Sequence, residues 1–210
     1  MSLTKVTYSM IVGAETNILD YIPATEHTAI LAGTSTYDCG PDITTAINAL
    51  KGTSKTKALY FPQGTYNVDT TITINSLIGF KFFGDGTRAT IINYTPASGS
   101  LFYFTVYVSN VFYDMAFYSA EIANLSRTNI CFRLNGTGGG TEMLFQNVFI
   151  NGFHTAVRTK DAVGNEDTVT FNSCYFWSNI YVWDNSNEQA VSWTFNTCQV
   201  LYTTGIVFYN

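Results

Sequence analysis

Phe145-Gln146-Asn147-Val148-Phe149-Ile150 decides the fold, because the chain repeats it. Phe112-Tyr113-Asp114-Met115-Ala116-Phe117, Phe171-Asn172-Ser173-Cys174-Tyr175-Phe176 and Phe195-Asn196-Thr197-Cys198-Gln199-Val200 lay over it position by position. Each reads Phe, polar, small polar, apolar, variable, apolar, and the starts are 33, 26 and 24 residues apart. A second set follows in step: Ile130-Cys131-Phe132, Ala156-Val157-Arg158, Ile180-Tyr181-Val182 and Ile206-Val207-Phe208, with starts 26, 24 and 26 apart. Two short runs recurring together at this period mean a solenoid with one coil per repeat.

The coils are β rather than α. The runs are rich in Phe, Tyr, Val, Ile and Thr, which suit strands and are mediocre helix formers. They have strand length, and no 3.6-residue periodicity joins them. Asn, Ser, Thr, Gly and Asp fill the gaps, as turns require. One such coil cannot bury its apolar side alone, so it must stack in parallel register on a neighbour about 4.8 Å away. The column Asp114, Asn147, Ser173, Thr197 then falls at a corner, with its side chains bonding along the stack or capping the bend. The expected fold is all-β, a right-handed parallel β-helix.

Composition narrows the partners. The chain has 210 residues and is 46% hydrophobic and 16% aromatic but only 12% charged, about half the charged fraction of ordinary domains. Its net charge of −5 lacks the basic footprint of a nucleic-acid partner. No apolar run is long enough to enter and span a membrane, and Met1–Ile11 lacks the basic start and apolar core of a signal peptide. Cys174 and Cys198 share a repeat position with Met115 and Val148, so stacked reduced thiols are expected, and a bridge between coils is geometrically open. Cys39 and Cys131 have no assignable partner. No CxxC pair or His/Cys cluster supports zinc, no Asp-x-Asp ladder supports calcium, and no cofactor is expected. His27 and His154 are isolated.

Residues 1–25 read as an extended neck, with strand-like runs at Val6–Ile11 and Asn17–Tyr21, and residues 26–210 as the capping region and first coils of a β-helix that continues further. Gly40-Pro41-Asp42 opens the one helix: Pro suits the first turn, and Asp42 complements the positive end of the dipole. Ile43, Ala46, Ile47 and Leu50 form a single stripe, and Gly52 ends it. Such a helix is the right size to cap the open end of a solenoid. Two strands follow around Pro62-Gln63-Gly64, then Thr71–Ile74, Gly79–Gly86 and Thr90–Tyr94. Gly136–Gly140 is a loop and no phosphate cradle, since no helix and no Lys-Ser/Thr follow it.

The order of strand-like lead-in, capping helix, Tyr60-Phe61-Pro62-Gln63-Gly64-Thr65-Tyr66 and Phe/Asn-rich coils resembles bacteriophage tailspikes of the pectate-lyase-like superfamily. Tyr60–Tyr66 matches that family's Phe-Pro-x-Gly-x-Tyr element, and Phe80–Thr87 its Gly-x-Gly turn. The resemblance implies a homotrimer on a phage tail, joined to a virion anchor protein and acting at the bacterial cell surface. There it would bind, and commonly degrade, bacterial surface polysaccharide such as capsule or O-antigen.

Glycosidic cleavage needs an acid and a nucleophile or base, about 5–5.5 Å apart in retaining and about 6.5–9.5 Å apart in inverting enzymes. Neighbouring coils supply such spacings. The candidates are Glu166 and Asp167, at the loop before one repeat strand, and Asp184 and Glu188, one coil further on. If both loops leave the same side, the four carboxylates cluster. Trp177, Trp183 and Tyr175 lie nearby in sequence and can offer ring faces to the C–H face of a sugar. Equally, the acids can be ordinary solvated loop residues, and exposed aromatics can line a trimer seam. Arg158 interrupts an apolar column, so either it pairs with an acid or the register there is shifted. Glu121 and Arg127 sit in the long insertion between Phe117 and Ile130, a candidate functional loop. A hydrolase, in preference to a lyase, and a non-catalytic adhesin both fit these residues.

Overall fold

The structure, a computed structural model, describes residues 15–51, 57–134, 140–159, 166–185, 192–201 and 208–209. Every strand pair is parallel, and each coil contributes to three ribbons. Ribbon one stacks Ala58–Phe61, Lys81–Gly84, the first half of Tyr107–Ser119, the first half of Gly140–Asn151, Glu166–Asn172 and Thr194–Asn196. Ribbon two stacks Gly64–Val68, Thr90–Tyr94, the second halves of the two long strands, Tyr175–Trp177 and Gln199–Leu201. Ribbon three runs Ile72–Ile74, Ser100–Phe104, Ile130–Leu134, Thr155–Arg158, Tyr181–Asp184 and Phe208–Tyr209.

The Phe register expected from the repeats is the register observed. Phe82, Phe112, Phe145, Phe171 and Phe195 are Cα partners in succession. Their rings stack nearly parallel, with centroids 4.5, 5.5, 4.6 and 4.8 Å apart. Phe132 meets the ladder edge-on at 4.8 Å from Phe145. The small polar column is a corner. Asp114, Asn147, Ser173 and Thr197 all have left-handed backbone, with φ of 55°, 51°, 53° and 50°. Short polar side chains tolerate this conformation by bonding locally. Asn147 Nδ2 donates to Asp114 Oδ1 at 2.7 Å, and the Ser173 and Thr197 hydroxyls meet at 3.2 Å.

The second repeat set needs a correction. Ile130 pairs with Thr155, not Ala156, and Ala156, between the pairs Thr155–Tyr181 and Val157–Trp183, falls opposite Val182, not Ile180. Arg133, Arg158 and Asp184 therefore form one column. Both readings of Arg158 hold: the register is shifted, by one residue against the Ile130 strand and by two against the Tyr181 strand, and Arg158 has an acid beside it.

The helix Gly40–Lys51 buries Ile43, Ala46, Ile47 and Leu50 against the first-coil strands Ala58–Phe61 and Ile72–Ile74, as a cap should. Asp38 Oδ1 accepts from Gly40 N at 2.9 Å and Asp69 N at 3.0 Å, tying the helix start to the first coil. The run Asn17–Tyr21 is not a strand. Thr16–Asn17 pairs with Leu59–Tyr60, and Ile18–Asp20 is a 3₁₀ turn because Asn17 Oδ1 takes the Leu19 N–H at 2.9 Å. A second helix, the five-residue His27–Leu31, has no side-chain cap and adds to the one helix expected from the sequence. Val6–Ile11 and Gly136–Gly139 lie outside the described residues. All four cysteines are free thiols. Burial pushes Cys39 and Cys174 up to about 12, so they remain protonated at neutral pH.

Candidate functional site

On ribbon two the positions that point away from the core form two columns. One is Thr65, Ile91, Ala116, Phe149, Tyr175, Gln199, of which Ala116 is fully covered; the other is Asn67, Asn93, Tyr118, Asn151, Trp177, Leu201. Strand alternation sends the intervening Ile92, Phe117, Ile150 and Phe176 into the core. Large aromatic residues thus gather on the outer face of the later coils. Phe149 stacks on Trp177 with centroids 5.9 Å apart, and Tyr118 and Tyr175 meet Phe149 edge-on at 5.5 and 6.3 Å. Tyr175 and Trp177 remain 38% and 40% exposed, which is unusual for rings with this much apolar area. They floor a groove of about 330 Å³, with Thr87, Arg88, Asn147 and Gln199 around it.

The Gly84–Thr90 turn places Arg88 over this face. A Cβ on Gly84 would lie 2.5 Å from the Thr90 side chain, so only glycine allows the close approach. Gly86, at φ 128°, needs glycine for its backbone. Thr90 Oγ1 accepts from Asp85 N and donates to Phe61 O, and Gly86 N donates to Asp114 O. Asp85 in turn accepts from Tyr60 Oη and Gln63 N, both at 2.7 Å. The Gly-x-Gly element is therefore a rigid bracket, and Arg88 is what it holds out.

The expected acids are elsewhere. Asp184 ends a ribbon-three strand and is buried; its Oδ2 lies 3.7 Å from Arg158 Nε, a long ion pair. Asp184 Oδ1 is buried with no hydrogen-bond partner among the described residues. Asp167 opens ribbon one opposite Thr141, half-buried, and its Oδ1 is likewise without a partner among the described residues. Glu166 pairs by backbone with Gly140, but its side chain, like the whole of Glu188, lies outside the described residues. Trp183 sits beside Asp184, yet one ring face is covered by Trp193 at 4.3 Å, and its Nε1 donates to Thr159 Oγ1 at 3.2 Å.

The structure thus brings Arg158, Trp183 and Asp184 together on ribbon three and sets Asp167 on ribbon one. It separates both from Tyr175 and Trp177 on ribbon two. Among the described residues no His, Cys, Asp and Glu cluster could hold a metal ion, and no helix is long and apolar enough to cross a membrane.

The Phe117–Ile130 insertion is pinned to the solenoid. Arg127, almost fully buried, donates to the carbonyls of Ile122, Asn124 and Ser178 at 2.9–3.0 Å and of Phe153 at 3.5 Å. Burial pulls its guanidinium below the ordinary arginine pKa. Arg127 holds structure here.

Parallel three-ribbon coils, a helix over the first coil and a groove on an outer ribbon define a β-helix of the pectate-lyase-like class. The chain belongs to the "Rhamnogalacturonase A/epimerase, pectate lyase-like" family, whose model matches residues 30–141. Among solved structures it is similar to the Agl-KA catalytic domain, with a TM-score of 0.71 and 16% identity over 93% of this chain and 34% of that one. It is also similar to ORF18 of Geobacillus virus E2, with a TM-score of 0.48 and 17% identity over 88% of this chain and 41% of that one. The chain therefore spans between a third and a half of the length of either structure. No curated protein matches it in sequence.

Proposed function

We propose that this β-helix binds bacterial surface polysaccharide, as part of a homotrimeric phage tailspike that acts from the virion at the bacterial surface. The observation that carries the reading is the shelf of Phe149, Tyr175 and Trp177 beside the amides of Asn147 and Gln199. Ring faces take the C–H faces of sugars, and amides take hydroxyls. Three weak sites on one trimer would act together through effective concentration. The tailspike role rests on the resemblance of the lead-in, the Tyr60–Tyr66 element and the Phe80–Thr87 turn. Its test is binding of capsule or O-antigen to the full protein with and without Trp177→Ala. Loss of binding in the variant supports the reading; unchanged binding refutes the assignment of the groove.

A second reading, cleavage, is favoured by one specific observation. Asp167 and Asp184, at the start of ribbon one and the end of ribbon three on the same coil, each keep a buried carboxylate oxygen without a described partner. A hydrolase needs such a pair, one acid and one base or nucleophile. The same fold carries a catalytic domain in Agl-KA. Reducing-end release lost in both Asp167→Asn and Asp184→Asn would support cleavage. Intact glycan recovered after binding would leave a pure adhesin.

A further inference from the structure

We propose that Arg88 is the specificity-determining residue of the ribbon-two groove, and that the glycan laid there is an anionic chain running across the coils. The inference rests on the glycan-binding reading and adds its chemical class. Arg88 is exposed, and no carboxylate among the described residues pairs with it. The acids on this side are already engaged. Both oxygens of Asp85 accept hydrogen bonds from Tyr60 and Gln63, and Asp114 Oδ1 accepts from Asn147. The bracket that carries Arg88 fixes its backbone at the groove, so binding has only the side chain left to order. Its field reaches the ring beside Phe149: burial raises the Tyr118 phenol, and the Arg88 charge acts in the opposite direction.

Arg88 also stands between two hollows. One is the aromatic groove; the other, of about 340 Å³, is bordered by Leu31, Gly33, Gln63, Thr65 and Ile91. Thr65 and Ile91 belong to the same register column as Phe149 and Tyr175. From Thr65 to Gln199 that column crosses five rung spacings, about 24 Å at about 4.8 Å each. A ligand touching both hollows is a chain, and it passes Arg88 on the way. The protein as a whole carries −5, so an anion is repelled at long range. Its recognition must come from a local cation, and added salt must weaken it. Guanidinium binds carboxylate and phosphate alike, so the charge of the glycan is a carboxylate sugar or a phosphodiester linkage.

The experiment immobilises bacterial capsular and O-antigen polysaccharides in three groups: neutral, carboxylate-bearing and phosphodiester-bearing. Binding of the wild type, Arg88→Gln and Trp177→Ala is measured by biolayer interferometry at low and high salt. The proposal expects binding only in a charged group, which also identifies the anion. Arg88→Gln should weaken it about tenfold or more, the loss expected of one charge-assisted contact. High salt should weaken the wild type more than Arg88→Gln. Equal binding of neutral glycans, lost in Trp177→Ala and unchanged in Arg88→Gln, overturns this inference and leaves the glycan groove standing. No binding in any group overturns both. Arg88→Gln should melt with the wild type, because the side chain is exposed and makes no ion pair among the described residues.

Discussion

Replacing Phe145 by Ala tests the stacking on which the fold rests. The ring is fully buried, with Phe171 stacked at 4.6 Å, Phe112 at 5.5 Å and the edge of Phe132 at 4.8 Å. Burying a Phe removes about 150–250 Å² from water, which at about 25 cal/mol per Å² is about 4–6 kcal/mol. Alanine retains a small part of that. Measured Phe→Ala changes in cores cost about 3–5 kcal/mol, so about 4 kcal/mol is expected here. For a chain of this length that corresponds to a fall in Tm of about 8–16 °C. The control is Phe149→Ala, on the same strand but facing outward and half-buried, for which about 1 kcal/mol is expected. Urea unfolding followed by circular dichroism reads both. A one-residue slip would exchange core and solvent faces. If Phe145→Ala stays within about 1 kcal/mol of the wild type, or Phe149→Ala costs as much, the register is wrong.

Three more outcomes follow from the same packing. Asn147→Ala should cost about 2 kcal/mol, from a left-handed backbone that alanine resists and one lost hydrogen bond, whereas Asn147→Gly should cost about half as much; urea midpoints separate the two. Arg127→Met should strand the Ile122 and Ser178 carbonyls, since Asn124 O and Phe153 O keep backbone donors, and destabilise by about 3 kcal/mol, with new proteolytic cleavage between residues 120 and 128. His154 is held below its ordinary pKa of 6.5 by burial, then by the Arg127 charge. The folded state therefore binds this proton less readily than the unfolded chain. Its contribution is fully present above about pH 6.5 and is lost as pH falls toward the depressed folded value. A titration of stability from pH 7.5 to 5.5 should decline, and His154→Gln should flatten it.

Much of the fold is legible because the Phe ladder of ribbon one recurs with polar residues behind each ring. A Phe followed by two polar residues admits one register, and the corner residues announce themselves as short and polar. Ribbon three reads one or two residues out of register because its strands bury consecutive side chains: Ile130, Cys131 and Phe132, then Thr155, Ala156 and Val157. Without alternation, a shift of one keeps apolar residues on apolar residues. The helix His27–Leu31 is too short for periodicity and has no cap to mark it. Of the site, Tyr175 and Trp177 are legible in the sequence, as is an acid beside Arg158, though not which acid. Arg88 is not, since it comes from a turn far from Trp177 along the chain. Only the register Ile91, Ala116, Phe149, Tyr175 brings the two to one face. Trp183 and Asp184 group with Trp177 by nearness in sequence, but the turn after Trp177 moves them to another ribbon.

The chain has three tryptophans, Trp177, Trp183 and Trp193, and only Trp177 floors the groove. In a Trp183→Phe/Trp193→Phe background, acrylamide quenching therefore reports on Trp177 alone. The account predicts ready quenching in the free protein and progressive, saturable shielding as the host's surface polysaccharide is added. Glycan that binds while Trp177 stays as open to acrylamide as before would contradict it.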